Sequence, residues 1–294
     1  MLRRLKAAYH SFLAAGHLHN ERLDEAVEHL SEAIRLSPNS PNAYLNRGYA
    51  AQGMANYGKS IDDFNKALEI DPYLAMAYFN RGVSWKMLGD FDRAIADQVR
   101  AVSLSPRLAN AHLELGVAYQ CSHDFDRSVA SLTTAISLAP KDPSHLKYRG
   151  LALFYRGTFN AAAADLEKAF DLAPDACALA FAYLARVKVG GNARQELEGR
   201  AAKLTTGRWP AAVVELYLGR LTVDAVLAAA ATSDEFAEAQ FYVGEWHLVR
   251  NDTTSARLAL EMARRSCPPV FIEHTAATVE LKRLESSVPG RAQD

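Results

Sequence analysis

The chain has 294 residues, 49% of them hydrophobic, which is ample for a large core. Its net charge is −1 and its isoelectric point near 6.8, so it lacks the basic bias that drives phosphate-backbone binding, and no nucleic-acid partner is expected. Three cysteines without paired spacing (Cys121, Cys177, Cys267) argue against a disulfide framework and fit a reducing compartment, and no run reaches the ~18 apolar residues of a membrane span.

The first element is basic at its start, with Arg3, Arg4 and Lys6, and continues as AAYHSFLAAGHLHNE. His10, Ser11, His17 and His19 interrupt that run, so it reads as an amphipathic helix and not as a secretory signal. No cysteine near the start offers a lipid-attachment site, and a cytoplasmic location is expected; a true start upstream would allow a periplasmic or envelope protein. Leu2, Leu5, Tyr9 and Leu13 leave apolar surface on this helix, where a capping element is expected to be polar. Self-association through it, as a homodimer, is therefore one expectation.

A period then sets in. Pro38, Pro72, Pro106, Pro140 and Pro174 stand 34 residues apart, a spacing that marks an array of helix–turn–helix repeats. With each proline at position 32, the repeats are 7–40, 41–74, 75–108, 109–142 and 143–176. Position 8 is Gly48, Gly82, Gly116 and Gly150; position 27 is Ala33, Ala67, Ala101, Ala135 and Ala169; position 20 is Ala26, Ser60, Ala94, Ser128 and Ala162. Small side chains there let the helices of one repeat, and the first helix of the next, approach closely; a larger one would overpack the contact at about 1–3 kcal/mol. Bulky residues fill the rest: Tyr44, Tyr78 and His112 at position 4, Trp85 and Tyr119 at position 11, and Leu30, Phe64, Leu132 and Leu166 at position 24, where Gln98 is the exception. In LGDFDRA, from Leu88 to Ala94, Gly89 stops one helix and Asp90 caps the next; His123-Asp124, Gly157-Thr158 and Asn251-Asp252 repeat that chemistry. Each closing proline lacks an N–H and biases its predecessor away from helix, ending the second helix. The first repeat is worn, with Ala14 at position 8 and His17 at position 11.

Beyond Pro174 the register breaks, because Pro174 to Pro268 spans 94 residues, not a multiple of 34. Expected helices are Ala178–Val189, ended by Gly190-Gly191; Arg194–Thr205; one opened by Trp209-Pro210 and running to Leu218; and Leu221–Ala230. A sixth repeat would carry Glu196 and Lys203 at positions 20 and 27, so its packing signature is lost. Gly244, Ala256, Ala263 and Pro268 restore a repeat at 237–270, Phe271–Leu284 reads as a terminal helix, and Ser286–Asp294 as a polar tail. The segments are thus 1–176, 177–236 and 237–294.

These residues and their spacing resemble the tetratricopeptide repeat family, over 7–176 as five repeats and 237–270 as a separate one. The resemblance implies an all-α fold, a right-handed superhelix (α-solenoid) of helix–turn–helix repeats, here with a register break and a C-terminal capping helix. It also implies a non-enzymatic scaffold or adaptor that binds a peptide or protein partner in its concave groove. A second resemblance rests on Glu215-Leu216-Tyr217-Leu218-Gly219, Phe241-Tyr242-Val243-Gly244 with Ala256, and Phe271-Ile272-Glu273-His274 with Glu280-Leu281. These are similar to NlpI-type tetratricopeptide lipoproteins of bacterial envelopes, which implies an adaptor, often dimeric, holding peptidoglycan hydrolases and their protease together. The chain departs from that pattern where the signal and lipid-attachment cysteine would stand.

In such a stack the first helices line the groove, and the helix period puts positions 2, 5, 6, 9, 12 and 13 on or beside it. The candidate binding residues are Asn42, Asn46, Tyr49, Asn80, Lys86, Asn110, Glu114, Gln120, Lys147, Tyr148 and Tyr155. Asn46 and Asn80 stand one repeat apart, and each offers an amide donor and acceptor to an extended backbone; the resemblance supports this use. A solvated polar face is the competing reading. Lys86 and Lys147 are too far apart to grip one terminal carboxylate. Arg47, Arg81 and Arg149 track the repeat at position 7 and are expected to pack and ion-pair, not to recognise an anion.

The chain has no Gly-rich phosphate loop, no HExxH pair and no G-x-S-x-G elbow. No catalytic residue, metal or cofactor is expected. His17 and His19 diverge on a helix, Glu273 at a helix start favours the dipole, and Trp209 and Trp246 read as packing anchors at the register break. Two alternatives to a groove-binding adaptor are an assembly protein working through its ends or convex face, and an enzyme with its site in 177–236.

Overall fold

The computed structural model describes residues 2–205 and 209–286. Among them are seventeen α-helices and no strand, and no helix is long and apolar enough to cross a membrane. Of the expected tail, everything beyond Ser286 lies outside the described residues. Two compact units are distinguished, Met1–Ala118 and Tyr119–Asp294. The segments read from the repeat register follow sequence period; these units follow contact.

The N-terminal unit is built from antiparallel hairpins: α1 (Leu2–His19) with α2 (Leu23–Leu36), α3 (Pro41–Gly53) with α4 (Tyr57–Ile70), and α5 (Ala75–Met87) with α6 (Phe91–Leu104), followed by α7 (Ala109–Cys121), whose last turn passes the unit boundary. Each second helix stops two residues before its closing proline, at Leu36, Ile70 and Leu104. Asn56 and Asp90 accept the backbone N–H of Lys59 and Arg93, the capping the turn chemistry calls for. Close approach inside a hairpin depends on the position-8 glycine. A Cβ on Gly48 would come to 2.7 Å from the buried Phe64 ring. At Gly82 the opposing residue is Gln98, and its buried amide donates to the Phe79 carbonyl at 2.9 Å, so the exceptional polar residue at position 24 is tied to the first helix.

Position 7 is an inter-helix staple. Arg47 makes two bonds to Asp63, at 2.9 and 2.7 Å, and a third to Ser31 of the preceding repeat. Arg81 does the same with Asp97, at 2.8 and 2.7 Å, and with Asn65. In the C-terminal unit Arg149 binds Asp165, at 2.7 and 2.9 Å, and Thr133. The guanidinium fork fits a carboxylate at two points, so each arginine joins both helices of its own repeat to the one before, as expected from recurrence.

The C-terminal unit contains α8 (Phe125–Leu138), α9 (Pro143–Arg156) with α10 (Phe159–Leu172), and α11 (Ala176–Lys188). The register break supplies three short helices, α12 (Ala193–Ala201), α13 (Ala211–Tyr217) and α14 (Val223–Ala229), and then α15 (Ser233–Val249), α16 (Thr253–Ser266) and α17 (Ile272–Ser286) close the chain. An aromatic core runs through it: Phe154 meets Phe181 edge-on at 5.3 Å, and Phe181 stacks on Phe241 at 5.4 Å. Trp209 donates to Glu238 at 2.6 Å, and Arg250 lies 3.7 Å over Trp246. Both tryptophans pack against this core at the register break.

Candidate functional site

On the first helices of the N-terminal unit, positions 6 and 12 form a polar ladder. Gln52 donates to the Asn80 carbonyl and to Ser84, both at 2.9 Å, and Lys86 pairs with Glu114 at 2.6 Å. The ladder joins position 12 of one first helix to position 6 of the next, a separation of 28 residues. Asn80 is only 6% exposed, and Lys86 and Glu114 are half-buried. The Lys86 and Glu114 side chains and the Asn80 backbone carbonyl are spent on holding the helices in register. What the same face opens to solvent is different: Tyr49 (52% exposed), Met76 and Met87, beside exposed Asn42 and Asn110 and half-buried Asn46.

In the C-terminal unit the ladder continues with Gln120, buried and donating to the Tyr148 carbonyl at 2.6 Å. Lys147 reaches Asp175 at 3.4 Å and lies 5.7 Å over the half-buried Tyr148 ring. Tyr155 is buried, with its hydroxyl donating to the Ile272 carbonyl at 3.1 Å. That bond is to α17, which covers the groove-side positions of α9, α11 and α15. Arg283 donates to the carbonyls of Phe154 and Tyr155, at 2.8 and 2.9 Å, and also pairs with Glu280. Lys188 reaches Glu280 at 3.0 Å and Glu245 at 3.3 Å. The expectation that this face is open therefore fails at Tyr155: the chain's own last helix fills it. The reason is complementarity, since α17 offers small Ala276 and Ala277 for close approach and places Glu280 and Arg283 against Lys188 and the α9 end.

Two buried carboxyls, Glu273 in the first turn of α17 and Glu245 on α15, are strongly perturbed. Burial pushes Glu273 up to about 7, with Glu238 adding to it, against the Tyr242 hydroxyl that donates to it at 2.8 Å. Glu245 is also raised, by burial first and then by Glu280, while Lys188 opposes. Burial raises the Cys177 thiol well above its ordinary value, with Glu273 second, and pushes Cys267 up to about 12. Both thiols are poor nucleophiles in that state. Glu273 and His274 do not pair; His274 bonds the Cys267 carbonyl instead.

Sequence reasoning missed Lys188, Glu245 and Glu280 as one group. The available signal was Lys188 at position 12 and Glu245 at position 9, charged residues at positions the helix period assigns to the groove. It also missed a histidine row between α1 and α2, where His10 and His29 lie 3.1 Å apart through Nδ1 and His17 stacks on His29. Among the described residues no group of three His, Cys, Asp or Glu is placed to hold a metal ion.

Family models described as TPR repeat or tetratricopeptide repeat match residues 19–54, 41–74 and 113–176. No curated protein matches the chain. Among solved structures, Pseudomonas aeruginosa PilF is similar at 16% identity and TM-score 0.64, over 74% of this chain and 99% of that one. MamA from Desulfovibrio magneticus RS-1 is similar at 22% identity and TM-score 0.53, over 57% of this chain and 94% of that one. YrrB, described as a TPR protein with an unusual peptide-binding site, is similar at 20% identity and TM-score 0.50, over 57% of this chain and 87% of that one. At such identities the likeness speaks for the fold alone, and none of these matches carries the narrower NlpI-type resemblance. Matched family models, a 34-residue period and the helical hairpins from α1 to α10 agree, and the chain carries tetratricopeptide repeats.

Proposed function

We propose that the protein is a non-enzymatic scaffold whose N-terminal unit takes an extended segment of a partner protein along the first-helix face of α3, α5 and α7. The observation that carries this reading is the exposure of Tyr49, Met76 and Met87 together on that face, beside Asn42, Asn46 and Asn110. Apolar side chains gathered on one face mark an interaction surface. Methionine adapts to varied partner side chains, and the asparagine amides can pair with a partner's main chain. The ladder through Gln52, Asn80, Lys86 and Glu114 fixes the helices beforehand, which lowers the ordering cost of binding. In the C-terminal unit, Gln120, Lys147, Tyr148 and Tyr155 serve the internal packing described above, and α17 stands where a ligand would.

A photo-crosslinking residue in place of Tyr49, expressed in the native cell, tests the reading. A small set of discrete adducts, lost when Met76→Glu is added, is the expected result. Adducts absent at position 49 but present from a probe at Arg93, on a second helix, would refute it and point to the convex face.

A further inference from the structure

We propose that α1 docks the protein on an anionic lipid surface. Leu2, Leu5, Tyr9 and Phe12 follow one another at spacings of three, four and three, which makes one stripe along a helix. Each is between 60% and 75% exposed. The stripe lies away from the face that packs on α2, where Ala7 and Ala14 are buried.

The repeat itself limits what can cover this edge. Positions 3 and 10 of the following first helices are small and buried: Ala43 and Ala50 in α3, Ala77 and Ser84 in α5. They let a neighbouring hairpin stack closely. In α1 the same positions are Tyr9 and Gly16, both exposed, with nothing within 4 Å of a Cβ placed on Gly16. The tyrosine stands in the slot that another hairpin would need, so packing of the internal kind is obstructed. A fluid surface has no such requirement.

Charge then selects the surface. α1 carries Arg3, Arg4 and Lys6, all exposed, and no acidic residue; the acids of the hairpin, Glu21, Asp24, Glu25, Glu28 and Glu32, lie in the turn or on α2. Two copies of α1 laid parallel would bring like charges together. Anionic head groups would neutralise them, and the positive end of the helix dipole adds to the attraction. An apolar ridge with basic flanks is the pattern of a helix lying in the head-group plane, with its leucines and aromatic rings at the acyl boundary.

The test is co-sedimentation of the full chain with phosphatidylcholine vesicles and with vesicles of phosphatidylcholine and phosphatidylglycerol, at low and high salt. Binding to the anionic vesicles should exceed binding to the neutral ones by about tenfold or more and weaken with salt. Leu5→Glu with Tyr9→Glu should cut anionic binding by about tenfold or more. Arg4→Ala and Lys6→Ala should each cost about fivefold. All four side chains are exposed, so circular dichroism should be unchanged. Binding to neither vesicle, equal binding to both, or binding unaffected by Leu5→Glu with Tyr9→Glu would overturn the proposal. A wild-type dimer in sedimentation that this double variant dissolves, with no vesicle binding, would overturn it too and assign the stripe to a second copy.

Discussion

Glu273→Gln probes the seal between α17 and the C-terminal unit. The buried carboxyl is pushed up from its ordinary 4.5 to about 7, so the folded state holds a proton that the unfolded state has released. The contribution to stability is fully present below 4.5 and is lost as pH rises through 7. At about 1.4 kcal/mol per pKa unit, holding this group ionised above that range costs about 3 kcal/mol. Glutamine keeps the acceptor for the Tyr242 hydroxyl and removes the charge; its extra amide donor offsets the gain by about 1 kcal/mol. Urea unfolding followed by tryptophan fluorescence, which reads Trp209 and Trp246 in this unit, should show the variant gaining about 2–3 kcal/mol more at pH 8 than at pH 5. The wild type should lose stability over that interval, and the variant should lose less. Its slope should not vanish, because Glu245 is raised in the same direction. A variant with the wild-type pH slope would refute the assignment of the proton to Glu273.

The staples offer a second test. Arg81→Ala leaves Asp97 buried without its partner and should cost about 3 kcal/mol in chemical denaturation. Arg81→Leu with Asp97→Ser should recover much of that, since the fourth repeat carries Leu115 and Ser131 at the same two positions. Ala55 sits at φ 56° in the turn after α3, where Gly89 occupies the corresponding place after α5, and Ala55→Gly should raise stability by about 1 kcal/mol, read as a higher Tm. Gly48→Ala forces a Cβ to 2.7 Å from Phe64 and should lower stability by about 1–3 kcal/mol in the same assay.

The left-handed turn residue shows where local signals stop. It recurs at position 15 as Glu21, Ala55, Gly89, His123, Gly157 and Asn251. Gly89, Gly157 and Asn251 advertise it in sequence. Glu21 and Ala55 do not, because there the hairpin contacts hold the chain in a conformation the residue itself disfavours. The arginine staples were legible, since a long cation recurring at one position implies a recurring partner. Asn80 and Gln120 were read as lining polarity, yet both are buried: Asn80 lends its backbone carbonyl to Gln52, and Gln120 donates its amide to the Tyr148 carbonyl. An amide at a groove position looks the same in sequence whether it stays open to solvent or is buried against a neighbouring helix.

The amino-acid pattern alone determined the helical hairpins, their 34-residue step and the register break after Pro174, because small residues, caps and prolines act over a few residues along the chain. Only the tertiary structure decided which first-helix face stays open. Tyr155 and Ile272 are 117 positions apart, and Lys188 and Glu280 are 92 apart. Whether such a residue meets water, a partner or its own chain depends on where a distant helix comes to rest, and burial and charge pairing across that distance leave no local periodicity to read.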